Sequence, residues 1–238
     1  MKSVDFTFEL DVDAMAEAVN ERTRAIILNS PHNPTGQIYT RDQLQALAKI
    51  VADAEKRYGR AIYIVADEPY RFLNFDNADI PSVFEYFPHS VVIGSFSKSL
   101  SLAGERIGYI AANPAMEGID DLMNGLILCN RILGFVNAPA VAQQILMECA
   151  DAQVDLDEVL TDAGIKFTMP KGAFYFFPKS PVADDKAFID ALVKECVLAV
   201  PGSAFGGPGY FRMAFCVDEK VIRAAAPGMK RAVEAVLK

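Results

Sequence analysis

Three short stretches hold side chains able to act together on one small organic molecule. The first is Ser95-Phe96-Ser97-Lys98, followed eight residues after the lysine by Arg106, which Gly104 and Gly108 flank. A lysine ε-amine attacks a carbonyl carbon and forms an imine. Ser95 and Ser97 carry hydroxyls, and Arg106 carries a planar fork of N–H donors; both suit the oxygens of a phosphate. The second stretch is Asp67-Glu68-Pro69-Tyr70, an acid at the end of an apolar run with a phenol three residues on. A carboxylate there stabilises a positive nitrogen and raises its pKa. The third is Ser30-Pro31-His32-Asn33-Pro34-Thr35-Gly36, where two prolines and a glycine set an unusual turn around one amide. Taken singly, each residue has an ordinary structural reading. Arg106 can pair with Glu105, the serines can cap a loop, and Asp67 can cap a helix or turn.

These stretches need strands and helices to bring them together, and the pattern supplies them. Asp13 is expected to cap a short helix over 14–20, and Ala25-Ile26-Ile27-Leu28 reads as a buried strand entering the Ser30–Gly36 loop. Thr40 and Gln43 form a capping box for a helix reaching Tyr58, with Leu44, Leu47, Ile50, Val51 and Ala54 on its apolar face. Further strands are expected over 61–66, ending at Asp67, over 91–94, ending before Ser95, and over 107–111. Strands alternating with helices indicate an α/β sheet, mostly parallel, whose ligand site lies at the strand carboxyl ends. The asparagine, aspartate and lysine stretches each follow such a strand. Helical patterns continue over 114–129 and 139–149. A smaller α+β domain is expected beyond, with strands over 174–177, 197–200 and 210–217, a helix over 184–195, and terminal helical turns broken at Pro227-Gly228. The domains divide as 1–152 and 153–238.

Bulk composition excludes several classes. The 238 residues are 52% hydrophobic and 23% charged, ordinary for a globular protein with a sizeable core. A net charge of −8 argues against nucleic acid and anionic membrane as partners. Any anionic ligand must therefore be held by local positive groups. Cys129, Cys149, Cys196 and Cys216 form no C-x-x-C pair and read as reduced thiols. No apolar run suits a signal peptide or a membrane span, so a cytoplasmic protein is expected. Neither G-x-G-x-x-G nor a Walker loop occurs, which leaves a nucleotide-binding reading without support.

With its three stretches in this order, the chain resembles the class I/II aminotransferases, enzymes that depend on pyridoxal 5'-phosphate, and the match runs from about Phe6 to Lys238. The resemblance implies that Lys98 holds the cofactor as a Schiff base and that Asp67 faces its ring nitrogen. Asn33 and Tyr70 would face the ring oxygen, and Ser95, Ser97 and Arg106 the phosphate. Arg212, in Gly209-Tyr210-Phe211-Arg212-Met213, matches the arginine that grips the substrate carboxylate; without the resemblance it reads as a strand arginine facing solvent. Lys171-Gly172-Ala173-Phe174-Tyr175 also resembles the family, and Phe174, Tyr175 and Phe205 are expected to shape the pocket. The implied reaction moves an amino group from an amino acid to a 2-keto acid, in a homodimer.

The resemblance reaches only the second half of a family member, so a truncated chain is expected. The glycine-rich phosphate loop and the aromatic that stacks on the cofactor ring have no counterpart here, and the chain contains no tryptophan. The segment between Val154 and Gly172 reads as shorter than the family's interdomain helix. Half a sheet would also expose apolar edges that favour association. Two rivals stay open: a carbon–sulfur lyase on the same cofactor, and a catalytically inactive fragment.

Overall fold

The computed structural model describes residues 3–4, 8–75, 77–99, 102–140, 172–215, 217 and 219–237. The helix expected over 139–149 lies outside them beyond residue 140, as do the 152/153 boundary and nearly all of the segment read as shortened. An antiparallel ribbon of β1 (Ser3–Val4) and β2 (Glu9–Leu10) leads into helix α1 (Val12–Ala18). The cap of α1 is Asp11, not Asp13. Asp11 accepts the Ala14 N–H at 2.9 Å, which leaves Asp13 inside the first turn.

The first core forms between helix α2 (Arg41–Tyr58) and a four-stranded sheet of β3 (Ala25–Asn29), β4 (Tyr63–Asp67), β5 (Ser90–Ser95) and β6 (Gly108–Ala112), in that order. The Thr40/Gln43 capping box starts α2, and left-handed Gly59 ends it. Leu44, Leu47, Val51 and Ala54 of α2 are buried against Leu28, Ile64, Ala66 and Val92 of the strands. Strands β3, β4 and β5 run parallel, and β6 returns antiparallel to β5. The connection between β5 and β6 is too short for a full crossover. It holds one short helix, α3 (Phe96–Ser99), and a turn ending at Arg106.

The opposite face of this sheet is poorly covered, and Ile27 at its edge is 75% exposed. Helix α4 (Ile119–Ile132) has no buried residue, and Phe135 just beyond it is 70% exposed. Ile27 and helix α4 thus put apolar side chains on the described surface. The helix begins later than the pattern suggested, because Asn113 caps a turn first and Gly118 enters a left-handed conformation.

A second core lies in the carboxyl-terminal part. Strands β7 (Tyr175–Phe176), β8 (Val200–Pro201) and β9 (Phe211–Ala214) form an antiparallel sheet with β9 central. Helices α5 (Asp185–Lys194) and α6 (Glu219–Leu237) pack together, and Phe188, Leu192, Phe211 and Met229 fill the space between helices and sheet. Asp184 caps α5 through the N–H groups of Lys186 and Ala187. The break expected at Pro227-Gly228 does not occur. Helix α6 runs through Pro227, because Ile222, Met229 and Ala232 keep one apolar face buried on both sides of it. Gly228 lets α6 approach α5, since a Cβ there would lie 3.1 Å from the Glu195 carbonyl oxygen.

Gly172 is one of the points where the two parts of the chain meet. Its N–H donates to the Gly36 carbonyl at 3.0 Å, and it bridges to Asn74. A Cβ at Gly172 would stand 2.6 Å from the Leu73 carbonyl oxygen and 2.8 Å from Pro31. Only glycine allows this approach.

Truncating Leu47, fully buried under the sheet, is expected to cost about 2–5 kcal/mol. Removing the exposed cap in Thr40→Ala is expected to cost about 1 kcal/mol. Urea unfolding of the two variants checks the order.

Candidate active site

Strand register sets the first part of the site. In the β3–β4 ladder, Asn29 is the partner of Asp67, so both side chains leave the same face of the sheet at its carboxyl end. The Asn29 amide donates to the Asp67 carbonyl at 2.8 Å and lies 3.5 Å from its carboxylate Oδ2. The Asn29 carbonyl oxygen accepts the backbone N–H of Asn33 at 2.7 Å. One side chain thus ties the Ser30–Gly36 loop to the end of β4. Asp67 is half-buried, and burial raises its pKa above the usual carboxylate range.

The loop is rigid by its own hydrogen bonds. The His32 N–H donates to the Gln37 carbonyl, the Gly36 N–H to the His32 carbonyl, each at 2.8 Å, and the Tyr39 N–H to the Ser30 hydroxyl. Its peptide bonds at Ser30-Pro31 and Asn33-Pro34 are cis. The buried His32 ring accepts the Thr35 N–H at Nδ1 and meets the Thr35 hydroxyl at 2.8 Å. His32 therefore serves the loop.

Asn33, Tyr70 and Arg212 converge on one point. The Asn33 amide donates to the Tyr70 hydroxyl at 3.3 Å, and its carbonyl oxygen accepts from Arg212 Nη1 at 3.1 Å. The Tyr70 and Tyr175 hydroxyls lie 3.5 Å apart. Burial raises the Tyr70 pKa, and the Tyr175 hydroxyl and the Asp67 charge add to the rise. The guanidinium of Arg212 lies 4.5 Å from the ring centres of both Tyr175 and Phe205. Such ring faces attract and orient a cation. The bland alternative of a strand arginine on a solvent face does not hold for Arg212.

Lys98 approaches the same cluster. It sits on α3 directly after β5, half-buried, with its Nζ 5.6 Å from the centre of the Phe174 ring. Phe174 in turn packs edge-on against Tyr70 at 5.4 Å. The chain of contacts thus runs from Lys98 through Phe174 and Tyr70 to Asn33 and Arg212. Asp67 enters it through Asn29 and through its charge on Tyr70. The Ser97 N–H donates to the Ser95 hydroxyl oxygen at 3.2 Å, which leaves the Ser95 hydroxyl proton free to donate outward.

Arg106 stands apart. Its backbone is left-handed at φ 53, it is exposed, and its guanidinium donates to the Ala103 carbonyl at 2.9 Å. The structure brings together Asn33, Tyr70, Lys98, Arg212 and Asp67, and shows no contact between Arg106 and these residues. Sequence reasoning passed over Asn29. Its only signal was a polar residue ending the apolar run Ala25–Leu28, and its partner is set by register.

A family model described as aminotransferase class I and II matches residues 2–227. A probable aspartate/prephenate aminotransferase from Aquifex aeolicus is 28% identical over 96% of the chain, and an aspartate aminotransferase from Geobacillus stearothermophilus is 30% identical over 96%. The chain spans 62% of the length of each of these relatives. Among solved structures, an aminotransferase from Eubacterium rectale superposes with a TM-score of 0.90 at 35% identity, over 99% of this chain and 62% of that one. An N-succinyldiaminopimelate aminotransferase from Mycobacterium tuberculosis has a TM-score of 0.80 at 28% identity, over 97% of this chain and 64% of that one.

Burial holds the His32 pKa at about 4, below its ordinary 6.5. Between those values the unfolded chain binds the proton and the folded chain does not. Stability is therefore full above pH 6.5 and falls as pH drops toward 4, by on the order of 3 kcal/mol. Urea unfolding across this range is expected to show that loss in the wild type and a smaller one in His32→Asn.

Proposed function

We propose, from the premise that the chain belongs to the class I and II aminotransferase family, that it carries the lysine-bearing part of a pyridoxal-phosphate site. That site moves an amino group from an amino acid to a 2-keto acid. The observation that carries the proposal is the convergence of Asn33, Tyr70, Lys98 and Arg212 around Phe174 and Tyr175, with Asp67 one hydrogen-bonded side chain away.

The donor set fits the cofactor. A half-buried carboxylate suits a ring nitrogen that must stay protonated, and the Asn33 amide and Tyr70 phenol form a polar pair for a ring oxygen. The Ser95 and Ser97 hydroxyls suit phosphate oxygens, and so does the donor fork of Arg106, which here donates to the Ala103 carbonyl. When bound, pyridoxal phosphate supplies an aldehyde and an electron-withdrawing ring.

The chain's own residues do the rest. Lys98 is the residue that would hold the cofactor's aldehyde carbon, and its amine, when free, would carry the α-proton of the substrate. The Tyr175 and Phe205 rings fix the plane of Arg212, and Asn33 takes one of its donors. The remaining donors can take a substrate carboxylate bidentately, which orients the α-hydrogen toward Lys98. The amino acid leaves as a keto acid, and a second 2-keto acid receives the amino group. A homodimer in the cytoplasm belongs to this reading. It is supported by the family resemblance, by the exposed apolar α4, and by the finding that no helix among the described residues is long and apolar enough to cross a membrane. The division into a cofactor-holding domain and a smaller domain is supported by the two separate cores.

One observation favours a second reading, a non-catalytic chain: Arg106 is exposed and turned away from the other candidate groups. Adding pyridoxal phosphate separates the two. The catalytic reading expects a visible absorbance band that Lys98→Ala abolishes, and borohydride reduction followed by peptide mapping that marks Lys98. No band, or a mark on another lysine, overturns it.

With a panel of amino donors, keto-acid formation is expected only when a 2-keto acid acceptor is present. Product without an acceptor would point to a lyase. Arg212→Ala is expected to raise KM for the amino acid by ~10²-fold or more, from a lost charge-assisted pair. The PLP band should persist in that variant.

A further inference from the structure

We infer that Asn29 is a positioning residue that locks the Asp67 end of β4 and the Asn33 turn into one frame before any ligand arrives. Its two amide atoms work in opposite directions. Nδ2 donates to the Asp67 carbonyl at 2.8 Å and reaches its carboxylate at 3.5 Å, while Oδ1 accepts the Asn33 N–H at 2.7 Å. No hydrogen bond described for Asp67 comes from the Ser30–Gly36 loop itself. Asn29 and Asp67 are direct register partners, so the side chain spans neighbouring strands without bending either backbone.

The consequence is specific. An acid facing a ring nitrogen and an amide facing a ring oxygen must keep a fixed separation to meet one rigid molecule. Backbone hydrogen bonds hold β3 to β4 only as far as their ends, and Asn33 lies four residues past the end of β3. Asn29 carries the order of the ladder into that loop. An alanine here loses both links. An aspartate keeps the acceptor toward Asn33 and loses the donor toward Asp67.

Two measurements test this, and only the second rests on the cofactor reading. In the ligand-free protein, amide hydrogen exchange at Asn33 is expected to be slow in the wild type, faster in Asn29→Ala, and near wild type in Asn29→Asp. In the cofactor titration, both variants are expected to bind pyridoxal phosphate on the order of tenfold more weakly, as expected for the loss of one or two hydrogen bonds. The pH midpoint of the visible band should move upward in both, because a less firmly protonated ring withdraws less charge. A merely structural role would lower stability without moving that midpoint. If Asn29→Ala does not fold, Asn29→Asp carries the test through affinity and midpoint. Unchanged exchange at Asn33 in Asn29→Ala overturns the inference. So do an unchanged affinity and midpoint in a protein whose wild type shows the band. If the wild type shows no band, the proposed function fails, while the exchange measurement still decides the clamp.

Discussion

Parallel pairing of β3, β4 and β5 is the constraint on which the candidate site depends. Parallel strands put all their carboxyl ends on one side of the sheet, and each is followed there by a loop whose backbone is free to turn. The Asn33 turn, Asp67 and the Lys98 helix all leave from that side. Helix α2 makes the arrangement stable by burying Leu44, Leu47, Val51 and Ala54 on the opposite face. The face that carries Asn29 and Asp67 is left for polar work.

The second core completes the site. Its residues Phe174, Tyr175, Phe205 and Arg212 reach across to Lys98, Tyr70 and Asn33, and Gly172 permits the close approach that brings them there. Aromatic side chains dominate this junction for a physical reason. They fill volume, they present faces that hold the Arg212 cation, and the two phenols supply a polar edge beside Asn33. A cluster made only of aliphatic groups would fill the same space but would leave the half-buried arginine without orientation.

Local rules served well where the physics is local. The Thr40/Gln43 capping box and the start of α2 follow from nearest-neighbour hydrogen bonding, and all four strands of the main sheet lie within two residues of their expected ends. The same rules failed where longer contacts decide. Asp13 resembles a cap as much as Asp11 does, but Asp11 takes the Ala14 N–H and Asp13 falls inside the first turn. Pro227-Gly228 looks like a break, but the apolar face of α6 is buried on both sides and outweighs one lost backbone donor.

Residue chemistry and spacing nominated Asn33, Asp67, Tyr70 and Lys98, because each follows a strand end in a set order along the chain, whereas Arg212 was nominated by the family resemblance. Tertiary structure decided which of them meet. It set Arg212 between two rings, left Arg106 on the surface, and brought in Asn29, which no spacing could single out. Order along a chain determines where strands end. The partner of each side chain is determined by sheet register and by packing between segments far apart in sequence, and neither is a property of any local stretch.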